Sequence, residues 1–353
     1  MSRKGENSRK REWKQDFQEK EIRNEETKSA EGMLVAECAA GWIASLKPQI
    51  KESTYVKYCN ILRIHILPWF GKKNICSLSV DELTLFCNTL LIHGGRNDSG
   101  LAPKTVSDIL SILRSILRYA QSRGMAVSCT GKEVVVRRAA GELQILSLHE
   151  QKRLCAYLSD HLTLRNFGLL LCLFTGLRIG ELCSLRWEDI SLENRELTVC
   201  RTVQRLQILR SSGVTEETDT FTEKRTRLLL SAPKSSSSVR TIPLPENIAR
   251  IIEHSFRECN GYVLTGKEHH FLEPRTMQNH FKRILRELAI HPVNFHALRH
   301  TFATRCVEVG FDIKSLSEIL GHSNVNITMN RYVHPSMTLK KQNMEKLSNI
   351  FPA

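Results

Sequence analysis

Four stretches between residues 34 and 128 carry apolar residues at helical spacing: "LVAECAAGWIASL", "STYVKYCNILRIHILPWF", "SVDELTLFCNTLLIHGG" and "APKTVSDILSILRSILRYAQSRG". Recurrence every three to four positions predicts amphipathic helices that each bury one face. Ser79 and Glu82 form a capping-box pattern ahead of the third stretch, and Gly94 and Gly124 are stop signals for the third and fourth. A compact four-helix module over 33–128 is expected. Ahead of it, residues 1–32 interleave both charge signs without apolar periodicity, which predicts a charged flexible tail.

Past that module, "SCTGKEVVVRRAAGEL" breaks the periodicity with glycines and paired arginines, which places an interdomain linker at 129–144. Ser147 and Glu150 repeat the capping pattern, and helices are expected over 148–159 and 163–174. "ELTVCRTV" reads as a strand, and "RLLLSAPKSSSSVRTIPL" as a hairpin folded about its serine-rich turn. Residues 209–227 are polar, a loop or a hairpin extension, and from residue 246 the pattern is mostly helical again. The second domain, 145–353, is therefore mainly α with a small β-sheet.

Composition narrows the partner. The 353 residues hold 51 Lys and Arg against 37 Asp and Glu, a formal charge of +14. That excess is the footprint of a polyanion-binding protein. No apolar run reaches membrane-spanning length and no signal-peptide core follows the start, so a cytoplasmic protein with nucleic acid as partner is expected, with no membrane role. The 11 cysteines are an odd, scattered set without a C-x-x-C pair, and they read as reduced core thiols. No Cys/His group has metal-ligand spacing, so no metal or other cofactor is expected.

Five places carry candidate chemistry. In "HALRH", His296 and Arg299 are neighbours on a helix surface, along one edge of an apolar stripe formed by Phe295, Leu298, Phe302, Cys306 and Val309. An imidazole beside a guanidinium suits a phosphate; an ordinary solvated pair is the alternative. In "TGLRIGEL", Arg178 is expected at a helix start, where unpaired N–H groups already favour an anion. It offers a bidentate phosphate clamp, or simply an ion pair with Glu181, and the two are compatible. Lys234 lies in the serine-rich turn, where a lysine is usually just solvated. "LGH" ends a helix at Gly321 and leaves His322 in the turn, and Tyr332 follows near the end of the next helical segment.

These motifs occur in one order over 34 to about 350, and the combination resembles the tyrosine site-specific recombinases, the phage integrase and Xer family. The resemblance implies a SAM-like helical core-binding domain followed by a tyrosine recombinase catalytic domain. It makes Tyr332 the nucleophile that attacks a DNA phosphate, forming a 3′-phosphotyrosyl intermediate. Arg178 and Arg299 resemble the pair gripping the nonbridging oxygens, His296 the residue of proton handling and His322 a donor to the phosphate. Lys234 resembles the general acid for the departing 5′ oxygen, and Glu181 a structural acid supporting Arg178. No metal or ATP is required by such a scheme.

The same resemblance implies double-stranded DNA as partner, with Lys104, Arg114 and Arg118 as candidate phosphate contacts or members of a solvated face. Met344, Leu347 and Phe351, at roughly helical spacing in the tail, imply docking on a neighbouring protomer in a homotetramer on paired sites. An excisionase accessory factor and a mobile-element host also fit. A type IB topoisomerase-like enzyme and a non-catalytic DNA-binding regulator are the rival readings.

Overall fold

The computed structural model describes residues 33–95, 97, 99–137, 143–208, 226–231, 239–333, 341, 344 and 345. Residues 1–32, Lys234, most of the 209–227 insert and the tail positions Leu347 and Phe351 lie outside the described residues. The described residues fall into two compact units, the first holding residues up to 137 with Ile208 and the second holding 143–207 and those from 226 onward. Among the described residues, no helix is long and apolar enough to cross a membrane.

The first unit contains α1 (Val35–Leu46), α2 (Glu52–Ile61), the short α3 (Leu67–Phe70), α4 (Val80–His93) and α5 (Pro103–Ser122). The second apolar stretch does not run as one helix. Between α2 and α3 it widens into a π-helical turn, Leu62–Ile66, which keeps Leu62, Ile66 and Phe70 all buried. A π-turn shifts the phase of the side chains, which a count at fixed helical spacing does not reveal. Ser79 and Glu82 close a reciprocal capping box at the start of α4. Along α5, Val106, Ile109, Leu110, Leu113, Ile116, Leu117 and Ala120 form the buried stripe. Phe70 and Phe86 pack edge-on in the same core, and the exposed Trp69 meets the edge of Phe86 at its rim.

The second unit opens with α6 (Leu148–Asp160), capped by Ser147 and Glu150, and α7 (Leu164–Thr175). Phe167 to Leu173 of α7 are all buried, because the middle of this helix is surrounded on every side while Arg165 in its first turn stays exposed. Next come α8 (Ile179–Ser184), β1 (Ile190–Ser191), β2 (Glu196–Val199), β3 (Thr202–Gln207), β4 (Thr226–Ser231) and β5 (Arg240–Pro243). The helices α9 (Glu246–Ser255), α10 (Pro274–Glu287), α11 (His296–Glu308), α12 (Ile313–Leu320) and α13 (Val325–Tyr332) complete it.

The strands correct one expectation. The runs flanking the serine-rich turn do not pair with each other: β4 pairs with β3, antiparallel, from Thr202↔Ser231 to Gln207↔Thr226. The strand β5 instead joins β2, with Leu197↔Ile242 and Val199↔Arg240, and β1 lies on the other edge of β2. Two small antiparallel sheets result. The pairing follows from what β5 must bury: Arg240 and Ile242 point inward, and the arginine needs the carboxylate of Glu181. A second correction concerns α11, where Val309 is 73% exposed and leaves the stripe that Phe295, Leu298, Phe302 and Cys306 bury. Val309 is already past the last helical turn, so the helical projection no longer applies to it.

Candidate active site

The site begins where α7 stops. Gly176 adopts a left-handed conformation, φ 66°, at the end of that helix, and a Cβ there would sit 2.6 Å from the Phe302 ring. Only glycine meets both conditions. The chain then turns so that Arg178 is the N-cap residue of α8. Glu181 reaches back: Oε2 accepts from the Arg178 backbone N–H at 3.0 Å, and Oε1 accepts from Arg178 Nη1 at 2.7 Å.

Arg240 completes this carboxylate from the opposite side. Its Nη2 donates to Glu181 Oε2 at 2.9 Å and its Nη1 to Oε1 at 3.2 Å, with both side chains almost sealed from solvent. Burial alone would raise the Glu181 pKa, but the Arg240 hydrogen bonds and the charges of Arg240 and Arg178 hold it below the usual range. Glu181 is thus ionised and committed to two guanidiniums. Nothing in "VRTIPL" marked Arg240 beforehand.

Three guanidiniums also converge on the C-terminal end of α12. Arg240 Nε donates to Ile319 O at 2.5 Å, Arg299 Nη2 to Leu320 O at 2.6 Å and Arg178 Nη2 to Gly321 O at 3.2 Å. Arg299 Nη1 donates to Gly176 O, the end of α7, at 2.8 Å. Helix C-termini carry unpaired carbonyls and partial negative charge, so two of them and one carboxylate hold together three cations that would otherwise repel. Arg299 is 2% exposed, and burial, with Arg178 beside it, lowers its pKa to about 9. It remains charged at neutral pH. Arg178 is the more open of the expected pair, its side chain 36% exposed.

The imidazoles lie around the same cluster. His322 follows Gly321, which is left-handed at φ 64° as its helix-stop role requires, and His322 Nδ1 lies 2.8 Å from the hydroxyl of buried Thr328. Burial first, then Arg299, Arg178 and Arg331, pull its pKa down to about 4. His296, at the exposed start of α11, is lowered to about 4 by partial desolvation and by Arg299, Arg178 and Arg331. All these rings are neutral near pH 7.

Tyr332 ends α13 and is 6% exposed. Its hydroxyl lies 2.8 Å from Nδ1 of His300, a residue that the reading of "HALRH" passed over. The signal was present: His300 stands one turn after His296 on the same edge of α11, and the two rings are 4.5 Å apart, edge to face. Burial raises the Tyr332 pKa, while Arg299, Arg331 and Arg178 oppose that rise. The structure therefore brings Arg178, Glu181, His296, Arg299, His322 and Tyr332 into one cluster and adds Arg240, His300 and Thr328.

The candidate DNA-contact residues of α5 part company. Arg114 Nε and Nη2 donate to the carbonyls of Gly131 and Val134 at 2.7 and 2.5 Å, so its guanidinium secures the segment after α5. A guanidinium on a helix reads the same in sequence whether it faces solvent or a loop returning from farther along the chain. Arg118 is exposed with a hydrogen bond to Ser115, and Lys104 is exposed and paired with Asp108.

Residues 144–338 match the family model described as "Phage integrase family", and residues 35–91 match "Phage integrase, N-terminal SAM-like domain". A "Tyrosine recombinase XerC-like" protein of Caldanaerobacter subterraneus subsp. tengcongensis is 29% identical over 326 residues, covering 85% of this chain and 79% of its own. Among solved structures, the Tn1549 transposon integrase in complex with a circular intermediate DNA has a TM-score of 0.69 at 21% identity, over 90% of this chain and 100% of that one. The lambda integrase tetramer bound to a Holliday junction gives a TM-score of 0.61 at 15% identity, over 87% of this chain and 80% of that one. At such identities these structures share the fold.

Proposed function

The chain belongs to the phage integrase family, as a site-specific DNA recombinase of the tyrosine class, and from that premise we propose that Tyr332 is its nucleophile. The phenol oxygen attacks a DNA phosphate, the 5′ oxygen leaves, and the 3′ phosphate stays on the enzyme. The covalent ester keeps the energy of the broken bond, so a second 5′ hydroxyl reseals the strand. Arg178 and Arg299 bind the nonbridging oxygens, on which charge builds in the transition state. His322 donates a further hydrogen bond to the same phosphate, and the α11 pair His296 and His300 handles the phenol proton. Lys234, three positions past β4 in the sequence, protonates the departing 5′ oxygen, as the family resemblance implies. Glu181 and Arg240 position the clamp.

One observation carries this reading: the Tyr332 hydroxyl lies 2.8 Å from His300, whose ring neighbours His296 and His322, and feels the charge of Arg299, in a site where, among the described residues, the carboxylate of Glu181 is already held by Arg178 and Arg240. Such a site has unbalanced positive charge and suits a phosphodiester. At the level of the cell, the proposed task is integration, excision or resolution of DNA, on behalf of a mobile element and in the cytoplasm. The transposon integrase named above supports the mobile-element part. A homotetramer on paired sites has its counterpart in the lambda integrase tetramer, and an excisionase would set direction. Lys104, Arg114 and Arg118 are proposed contacts to the DNA backbone.

The test is Tyr332→Phe on a nicked suicide substrate resolved by denaturing gel. The wild type is expected to form a covalent adduct, and the variant to bind DNA normally and form none. An adduct that persists in the Phe variant would remove Tyr332 from the role.

A further inference from the structure

The geometry points to His300 as the base that takes the phenol proton from Tyr332, an inference that rests on the reading above. Of the two histidines of α11, His300 is the one at hydrogen-bond distance from the reacting oxygen, 2.8 Å from Nδ1. With the ring in its Nε2–H tautomer, Nδ1 accepts from the phenol. As the Tyr332 O–P bond forms, the phenol O–H bond breaks and its proton passes to Nδ1, leaving an imidazolium. The P–O5′ bond breaks at the same phosphorus, and the 5′ oxygen takes a proton from the general acid. Religation runs the transfers backwards, so the enzyme ends as it began.

The surroundings suit this assignment. His300 is 7% exposed, so water does not compete for its lone pair. The titratable and charged groups around it are His296 and Arg299 of its own helix, Arg331 and Tyr332 of α13, and His322 of the turn after α12. Burial first, then these neighbours, lower its pKa to about 3 and keep the ring unprotonated and able to accept. A base so weak does little in the DNA-free protein. A bound phosphodiester brings a negative charge against Arg299 and Arg331, which offsets their repulsion and makes the imidazolium easier to form. Proton acceptance is then coupled to substrate arrival. His296 packs edge to face on His300 and fixes the plane of its ring, a positioning role.

The experiment measures single-turnover cleavage of the suicide substrate across pH 6–9 by the wild type, His300→Ala and His300→Gln, each with Tyr332 or with 3,5-difluorotyrosine at that position. Glutamine keeps an acceptor for the phenol and nearly fills the site, but it takes up no proton. Both variants are expected to bind DNA as the wild type does and to cleave roughly 100-fold or more slowly at pH 7, in the range of a lost general base. Their rates should climb about tenfold per pH unit with the phenolate fraction while the wild-type rate levels off. The more acidic fluorinated phenol should recover most of the loss. Wild-type rates in His300→Gln would reduce His300 to a hydrogen-bond anchor and overturn the proposal, as would parallel pH profiles or a defect unchanged by fluorination. Absence of any adduct in the wild type would overturn the proposed function and this inference with it.

Discussion

At the residue scale, the site is a problem of charge: among the described residues, the guanidiniums of Arg178, Arg240, Arg299 and Arg331 and three imidazoles lie around one phenol, with the carboxylate of Glu181 to offset them. The imidazoles respond by staying neutral, at about 4 for His296, 3 for His300 and 4 for His322, against an ordinary value near 6.5. Their folded pKa lies below the unfolded one, so the unfolded chain binds more protons in the window between. Stability is accordingly complete above about pH 6.5 and is lost as pH falls towards 3. Urea midpoints of the DNA-free protein should drop between pH 7 and pH 5, and His300→Gln should flatten that drop; an unchanged midpoint would contradict the neutral cluster. Lys234 has a separate test of its chemistry. If it protonates the 5′ oxygen, Lys234→Ala should cleave an ordinary phosphodiester slowly yet approach wild-type cleavage where sulfur bridges that position, since a thiolate leaves without an acid. Arg178→Ala should stay defective on both substrates. Equal defects for Lys234→Ala on both would assign the acid elsewhere.

At the element scale, two helix ends act as parts of the site. The C-termini of α7 and α12 supply the carbonyls of Gly176, Ile319, Leu320 and Gly321 that hold the guanidiniums in place. A change in either end should therefore move the clamp as well as the helix. Gly176→Ala puts an L residue at φ 66° and a methyl carbon 2.6 Å from Phe302, so the turn must shift. The left-handed conformation alone costs roughly 1–2 kcal/mol, and the steric clash adds to it. The expected outcome is a lower denaturation midpoint together with a cleavage defect larger than the defect in DNA binding. Full cleavage activity in a destabilised variant would show that the carbonyl of Gly176 does not position Arg299. The β5 strand contributes in the same way, through Arg240 on Glu181.

At the scale of the whole molecule, each unit has its own apolar core. The core from Val35 to Val134 and those from Leu146 to Leu298 and from Phe302 to Tyr332 share no residue. The buried apolar residues of each unit, taken together, are enough to support cooperative unfolding of that unit. Calorimetry should resolve two transitions, and Ser147→Ala, which removes the α6 cap, should lower only the one belonging to the second unit, by about 1 kcal/mol of stability. A single transition shifted as a whole would mean that the units unfold together.

Sequence alone determined most of the local structure. The caps at Ser79 and Ser147, the helices α6 and α7, and the stop at Gly321 were legible because periodicity and capping depend on residues within one turn of each other. The order of Arg178, His296, Arg299, His322 and Tyr332 was legible too, through its resemblance to a known family. What the tertiary structure decided were the partnerships across distance. Arg240 reads as an ordinary strand arginine until β5 pairs with β2 and aims it at Glu181. Arg114 reads as a free cation until the chain after α5 brings back two carbonyls. His300 was visible on the right edge of α11, but its meeting with the Tyr332 hydroxyl depends on where α13 packs. Local pattern fixes which face of an element is buried; the partner it meets there is set by closure of the whole chain, which no window of sequence contains.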